Sequence, residues 1–314
     1  MLLHWSDSRS TGAGLPLLSP SAKGSPRGLP FAIHRILGGV LAAAGFVALG
    51  IAVGTLGTLI GAGGGFILLP LLAILSPLEP TATLTATSLA VVAANATSGA
   101  IAYWGQRRID LRSGVAFALA TVPGSIAGAL LARSIPRGPF DVAFAAVLLA
   151  LAVVVVRARP PQGPPAPEGR AWGRASRELA DVEGTVHRYG VNLPLGIAIS
   201  FVAGFVSSLL GVGGGFIHVP ALIAVLGFPV HIATATSHFV LAIMATVATV
   251  THVVSGDLAD SWPRAVYIAI GAIAGAQVGA RLSTRVRGLV IVRVLAAALV
   301  IVALRLAAQG ILGV

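Results

Sequence analysis

The stretch GAGGGFILLP at residues 61–70 is repeated as GVGGGFIHVP at residues 211–220, with seven of ten positions identical. Two further matches follow in the same order: TATS at 85–88 with TATS at 234–237, and GSIAGA at 124–129 with GAIAGA at 271–276. Because all three matches keep one register apart from small insertions or deletions, they indicate an internal duplication.

Composition places this duplicated chain in a membrane. Of its 314 residues 56% are hydrophobic and only 10% are charged, and its mean hydropathy is +0.93. A soluble domain carries about 25% charged residues, so this chain has too few to cover a water-facing surface. Intrinsic disorder is excluded as well, since it requires low hydrophobicity. We therefore predict an all-α polytopic membrane protein.

Apolar spans follow one another along each half. The spans that we predict are 36–60, 65–77, 81–104, 112–132 and 139–156 in the first half and 193–210, 215–228, 232–254, 263–281 and 288–309 in the second. The predicted organisation is an N-terminal tail (1–35), a first transmembrane repeat (36–156), a cytoplasmic linker (157–192) and a second repeat (193–314). The linker holds six arginines and a proline run, and one short helix is predicted in it near 171–187.

Two of the spans, 65–77 and 215–228, are shorter than the 20 or so residues that a membrane crossing needs. Each follows a glycine cluster and ends near a proline, which is typical of a half-helix that turns back inside the bilayer. Five segments per half, an odd number, predict two inverted repeats with 8–10 transmembrane segments in all. A four-plus-four count, with each glycine break inside one span, remains open.

The charges support this topology. The arginine-rich loops around residues 107–112 and 281–287 and the linker fall on one side, which the positive-inside rule makes cytoplasmic. Glu79, Asp257 and Asp260 fall on the other side, whereas the basic residues of the N-terminal tail and Arg133 and Arg137 count against the scheme. The net charge of +11 is therefore explained by topology, and nucleic-acid binding is excluded because no basic helix is interleaved with aromatic residues.

The glycine clusters are the candidate binding site. A glycine turn that opens a helix presents free N–H groups and the positive end of the helix dipole, which together can hold an anion. The alternative is that the glycines only permit close helix packing. Hydroxyls that open the next span could also donate to an anion or bond to their own helix. The predicted substrate-binding residues are Gly63, Gly64, Gly65, Thr87, Ser88, Gly213, Gly214, Gly215, Thr236, Ser237 and His238.

Three histidines lie in apolar spans, His218, His238 and His252, and are candidates for proton coupling or are simply buried and satisfied. Their spacings are not those of a metal-binding pair, and the chain has no cysteine, so neither a metal nor a cofactor is expected. No carboxylate lies in the middle of a span, which favours an anion over a cation as substrate. We expect no enzyme: a Walker A sequence is missing and no catalytic constellation can be placed at one membrane face.

The duplicated GxGGGFxxxP motif, the ATS stretch after it and the small-residue GxxxGA segments resemble the TauE/SafE sulfite-exporter family of anion permeases over about 36–158 and 190–309. The resemblance implies a bacterial inner-membrane protein that moves sulfite, sulfoacetate or related organosulfur anions outward, driven by ion gradients. It also implies that the glycine turns and the Thr/Ser segments form the substrate region. His218 and His238 depart from the family pattern, where small or aliphatic residues are usual.

The resulting hypothesis is a secondary transporter of small anions that works by alternating access, with membrane lipid as its surroundings. An anion channel, a permease for another small substrate, and a membrane enzyme or assembly factor are the alternatives. The sequence leaves the oligomeric state open.

Overall fold

A computed structural model describes residues 29–157 and 174–312. Its described residues form ten helices and one two-stranded sheet. The helices of the first half are α1 (Leu29–Ile60), α2 (Gly65–Leu75), α3 (Thr81–Gly105), α4 (Leu111–Ala132) and α5 (Arg137–Arg157). Those of the second half are α6 (Leu193–Leu209), α7 (Gly215–Ala224), α8 (Val230–Val254), α9 (Trp262–Ser283) and α10 (Gly288–Leu312).

All ten predicted spans are confirmed as helices, most with ends within two or three residues of the predicted ones. The largest differences are at α1, which begins at Leu29 rather than at residue 36, and at α7, which ends four residues early. The rest of the predicted tail lies outside the described residues. The chain divides into two units at Val40, and the packing described below is that of the unit that begins at Leu41.

Six described helices, α1, α3, α4, α8, α9 and α10, are long and apolar enough to cross a membrane. This confirms an all-α polytopic membrane protein. The helices α2 and α7 have 11 and 10 residues, about half the length needed to cross the hydrocarbon core. Both are largely buried in protein. The inverted orientation of the two halves remains a prediction, which rests on the odd number of segments, five, in each half.

Helices of the two halves pack against each other in a reciprocal pattern. α9 packs on α1, where a Cβ added to Gly275 would lie 2.3 Å from the Ile51 carbonyl oxygen. α4 packs on α6 in the same way, where a Cβ on Gly128 would lie 2.2 Å from the Phe205 carbonyl oxygen. Small residues therefore let the backbones approach at both interfaces. The pairs α3 with α8 and α5 with α10 join corresponding helices of the two halves.

The helix predicted near 171–187 is wrong for the part of that segment that the structure describes. Residues 174–192 instead form an antiparallel hairpin of β1 (Arg174–Ala180) and β2 (Val186–Asn192). Its turn is fixed by the Asp181 carboxylate, which accepts the N–H groups of Glu183 and Thr185 at 3.0 and 2.9 Å. Tyr189 and Val191 of β2 alternate with exposed residues and are buried in the core, a period of two that excludes a helix.

Candidate functional site

The two glycine turns, residues 61–65 and 211–215, lie in direct contact in the interior of the protein. A Cβ on Gly65 would fall 2.0 Å from the Val212 carbonyl oxygen, and one on Gly215 would fall 2.5 Å from the Gly61 carbonyl oxygen. Any larger side chain at either position would therefore force the two turns apart. Both turns therefore show the close backbone packing that was the alternative explanation for the glycines.

The two turns differ in backbone conformation. Gly63 and Gly64 have φ values of 74° and 78°, in the left-handed region that favours glycine. Gly213 matches Gly63 with a φ of 80°, but Gly214 has a φ of −63° and is right-handed. The second turn can therefore accept a side chain at position 214 without backbone strain, whereas the first turn cannot accept one at position 64.

Several backbone N–H groups at these turns have no hydrogen-bond acceptor among the described residues. They are those of Gly64, Gly65 and Phe66 at the start of α2 and those of Gly213, Gly214, Gly215 and Phe216 at the start of α7. All seven residues are buried. More than nine in ten buried backbone N–H groups in proteins are paired, so two groups of unpaired donors at neighbouring helix N-termini are unusual. They are the donors that an anion requires.

Side chains of the opposite half form the walls of each turn. A Cβ on Gly61 would meet Thr234 at 2.7 Å, and one on Gly211 would meet Thr85 at 2.6 Å, so the arrangement is again reciprocal. Ser237 donates to the Gly61 carbonyl oxygen at 3.1 Å. Its counterpart Ser88, one helical turn beyond Thr85, has a fully buried hydroxyl with no partner among the described residues. The structure thus brings Ser237 to the first glycine turn and leaves the Ser88 hydroxyl buried, one helical turn from the Thr85 contact with Gly211.

The predicted Thr87 and Thr236 are engaged elsewhere. The Thr87 hydroxyl donates to the Thr83 carbonyl oxygen and lies 2.8 Å from the Ser261 hydroxyl, at the start of α9. The Thr236 hydroxyl accepts the N–H of Asp110 at 3.0 Å, at the start of α4. These threonines therefore tie α3 and α8 to the first turns of α9 and α4, and their hydroxyls do not point at the glycine turns.

His238 belongs to a buried polar chain that ends at the first glycine turn. Its Nε2 lies 3.1 Å from the Thr58 hydroxyl, which in turn donates to the side-chain oxygen of Asn95 at 3.1 Å. The Asn95 amide donates to the Gly63 carbonyl oxygen at 3.1 Å. Since Thr58 uses its one proton toward Asn95, we assign the donor of the first contact to His238. Its Nδ1 has no partner among the described residues.

His218 lies beside the second glycine turn. Its Nε2 is 3.0 Å from the Ser200 hydroxyl, which itself donates to the Gly196 carbonyl oxygen. The other ring nitrogen, Nδ1, lies 3.2 Å from the position that a Cβ on Gly214 would take, and has no partner in the described part of the chain. A buried histidine ring therefore lies beside each glycine turn, His218 near Gly214 and His238 near Gly61.

The third histidine, His252, is not part of this cluster. It lies fourteen positions beyond His238 on α8, about 21 Å along the helix. Its Nδ1 contacts the Asp257 carboxylate at 2.8 Å, and the Arg133 guanidinium binds the same carboxylate at 3.1 Å. The residue therefore belongs to an ion-pair cluster at the end of α8. No group of three or more His, Cys, Asp or Glu side chains among the described residues could hold a metal ion.

Sequence reasoning missed the support of the turns on the N-terminal side. Thr58, Ser207 and Ser208 are fully buried, and the two serine hydroxyls have no partner among the described residues. Thr58 and Ser208 occupy corresponding positions of the two repeats, at the 150-residue offset of the glycine motif. Extending the repeat alignment a few residues toward the N-terminus would have found this hydroxyl pair.

Two helical halves that arose by duplication and meet at two buried helix N-termini form an arrangement that is typical of polytopic membrane transporters. The chain belongs to the sulfite exporter TauE/SafE family, whose model matches residues 46–306. This confirms the family resemblance and, with it, a membrane transporter.

Curated relatives agree with this class. The chain is 31% identical over 275 residues to the probable membrane transporter protein YunE of Bacillus subtilis, an alignment that covers 84% of this chain and 97% of that protein. It is 27% identical over 227 residues to a probable membrane transporter protein of Xylella fastidiosa, covering 72% and 79%. No solved structure matches the chain.

Proposed function

We propose that this protein is a secondary transporter that exports sulfite or related small organosulfur or organic anions across a bacterial inner membrane. The family relationship supports a transporter, and the name of the family supports a small anion as its substrate. In this proposal the two repeats are inverted, and the linker with its hairpin lies on the cytoplasmic side. Transport is by alternating access, with the two halves separating toward one side at a time.

The observation that carries the proposal is the group of unpaired backbone N–H donors at the starts of α2 and α7. In the structure the two turns pack directly on each other, so donors from both halves would face one anion after a small separation of the turns. The helices α2, α3, α7 and α8 contain no Asp or Glu, so no carboxylate on them opposes an anion. The site would hold the charge without a cationic side chain.

His218 and His238 are the proposed proton-coupling residues. Each has its Nε2 bound to a hydroxyl and its ring beside the backbone of one glycine turn, Gly214 for His218 and Gly61 for His238. A histidine that gains a proton beside a bound anion would couple proton movement to anion movement. His252, already paired with Asp257, is the weaker candidate.

The test is anion flux in proteoliposomes with Gly214→Ala. An added Cβ would lie 2.9 Å from Met244 Sδ and 3.2 Å from His218 Nδ1, so only a flexible side chain must shift to preserve the fold. The methyl group would nevertheless fill the space beside the donors, and we expect sulfite flux to fall at least about tenfold. Gly64→Ala is unsuitable, since its Cβ would lie 2.7 Å from the Val53 carbonyl oxygen at a positive φ and would damage the fold.

The matched control is Gly105→Ala, where a Cβ meets nothing within 4 Å. It should transport as the unmodified protein does. Sulfite flux that is equal in the unmodified protein and in folded Gly214→Ala would reject the glycine site. Flux that does not saturate and shows no trans-stimulation would identify a channel instead of a transporter.

A further inference from the structure

One ion pair links the loop between α2 and α3 to the start of α9. The Arg264 guanidinium binds the Glu79 carboxylate through two parallel hydrogen bonds, at 2.9 Å from Nη1 to Oε1 and 2.7 Å from Nη2 to Oε2. Nη1 also donates to the Ser76 hydroxyl at 2.8 Å. This is the bidentate geometry in which arginine binds carboxylates and other oxyanions most strongly.

The ion pair joins the two halves. Glu79 and Ser76 lie in the loop that follows α2, the half-helix that starts at the first glycine turn, whereas Arg264 lies in the first turn of α9. Contact between Arg264 and Glu79 therefore fastens the far end of α2 to the opposite repeat. Releasing this contact would remove one tie between α9 and the loop that joins α2 to α3.

The corresponding junction of the other repeat is made without charge. The repeat register that aligns Thr85 with Thr234 places Glu79 opposite Phe228, and the register of the GSIAGA match places Arg264 opposite Phe117. These two phenylalanines contact each other with ring centroids 6.5 Å apart. The contact between Phe117 and Phe228 holds this junction together without charge. The fold therefore does not require an ion pair at the equivalent junction, where Arg264 and Glu79 meet.

We propose that Arg264 is an anion-docking residue at this end of the transporter, and that Glu79 occupies its guanidinium until a substrate oxyanion displaces it. The inference rests on the proposed function, because it concerns the same anion. Sulfite, sulfonates and carboxylates each present two oxygens to an arginine fork, as Glu79 does. The side chains of Arg264 and Glu79 are 14% and 32% exposed, so an anion in solution can reach the pair.

Binding of an anion to Arg264 is linked to a change in the protein, because the anion takes the place of Glu79. An anion that binds Arg264 binds only the state in which Glu79 has left, so it shifts the protein toward that state. Loss of this tie would weaken the attachment of the end of α2 to α9. Because this end lies on the non-cytoplasmic side in the proposed topology, Arg264 would receive an exported oxyanion after it leaves the uncharged donors of the glycine turns.

The experiment measures the Michaelis constant (KM) for sulfite and for sulfoacetate in proteoliposomes, with the substrate applied to each side in turn. Glu79→Gln keeps the size of the side chain and removes its charge, so we expect the apparent affinity to rise by up to about fivefold, the effect of a partly exposed ion pair. The neutral double variant Glu79→Gln/Arg264→Gln should lose this gain and have a KM above that of the unmodified protein. Arg264→Lys keeps the charge without the fork and should lie between these two.

The matched control is Glu178→Gln, which removes the carboxylate of the exposed Arg188–Glu178 pair on the hairpin and should leave the KM unchanged. Each variant is first shown to be folded by its thermal unfolding in detergent. Equal KM values in the unmodified protein, Glu79→Gln and the double variant would overturn the docking role and leave the proposed function intact. Absence of saturable oxyanion flux in the unmodified protein would overturn both.

Discussion

Gly99 on α3 leaves the space that His238 on α8 occupies. A Cβ at this position would lie 2.5 Å from His238 Cδ2 and 2.9 Å from its Nε2, the nitrogen that contacts Thr58. Gly99→Ala should therefore displace the ring, break the contact with Thr58 and lower the free energy of unfolding by about 1–3 kcal/mol, the usual effect of overpacking. Thermal unfolding in detergent, followed by tryptophan fluorescence, measures this change.

Gly105→Ala on the same helix is the control, because its Cβ meets nothing within 4 Å. It should unfold at the temperature of the unmodified protein. A Gly99→Ala variant as stable as Gly105→Ala would show that His238 does not need this position.

The sequence predicted individual residues of the site only where the same residue occurs at the matching position of both repeats. The glycines and the pair Ser88 and Ser237 stand out because they occur twice in a fixed register. The threonines next to them share that register, yet their hydroxyls bind the starts of α9 and α4. Which face of α3 or α8 reaches the turns depends on how these helices cross, and that crossing is set by the other half of the chain.

At the scale of elements, the hairpin of the linker is the part that local sequence reasoning misjudged. Composition indicated a solvated segment, but its strand β2 is anchored in the protein. The Tyr189 ring packs on Phe228 at 4.8 Å between centroids, and its hydroxyl donates to the Asp110 carboxylate at 3.1 Å. Burial, together with the negative charge of Asp110, raises the pKa of Tyr189 above its usual range, so the hydroxyl keeps its proton and remains a donor. These long-range contacts select the strand.

The turn of this hairpin should weaken in acid. Burial disfavours the charged form of Asp181, but hydrogen bonds from Thr185, His187 and Glu183 and the nearby Arg108 outweigh it and lower the pKa of the carboxyl below 3.8. A lowered folded-state pKa means that the charged carboxylate stabilises the fold fully above the unfolded value. This stabilisation is lost as the pH falls through the folded pKa.

We expect the amide hydrogens of residues 174–192 to lose protection below a pH of about 4, after correction for the intrinsic exchange rate. Hydrogen exchange read by mass spectrometry measures this change. Asp181→Asn keeps an acceptor for the turn and removes the titrating group, so its protection should be lower at neutral pH and independent of pH in this range. Unchanged protection of the unmodified hairpin down to pH 2.5 would contradict the role of Asp181.

At the scale of the whole molecule, the duplication explains the architecture better than any single helix does. The ten helices could be predicted because their apolar spans are long or are bounded by glycine and proline. The pairing of α1 with α9 and of α4 with α6 could not, since the glycine stripes Gly271, Gly275, Gly279 and Gly124, Gly128 do not identify their partners. Reciprocal contacts of this kind are what a pseudo-two-fold relation between the halves requires.

The inverted orientation itself predicts opposite labelling just beyond the ends of the equivalent helices α2 and α7. Leu78 and Val225 lie just beyond the ends of α2 and α7 and are 97% and 52% exposed. The chain has no cysteine, so Leu78→Cys and Val225→Cys each introduce a single thiol. A membrane-impermeant maleimide added to intact cells should label Leu78→Cys, on the side of Glu79 and Asp257, and should label Val225→Cys only after the membrane is opened. Val182→Cys on the hairpin, 61% exposed, is the cytoplasmic control. If Leu78→Cys and Val225→Cys were labelled from the same side, the two halves would be parallel, and the two glycine turns would not enter the protein from opposite faces.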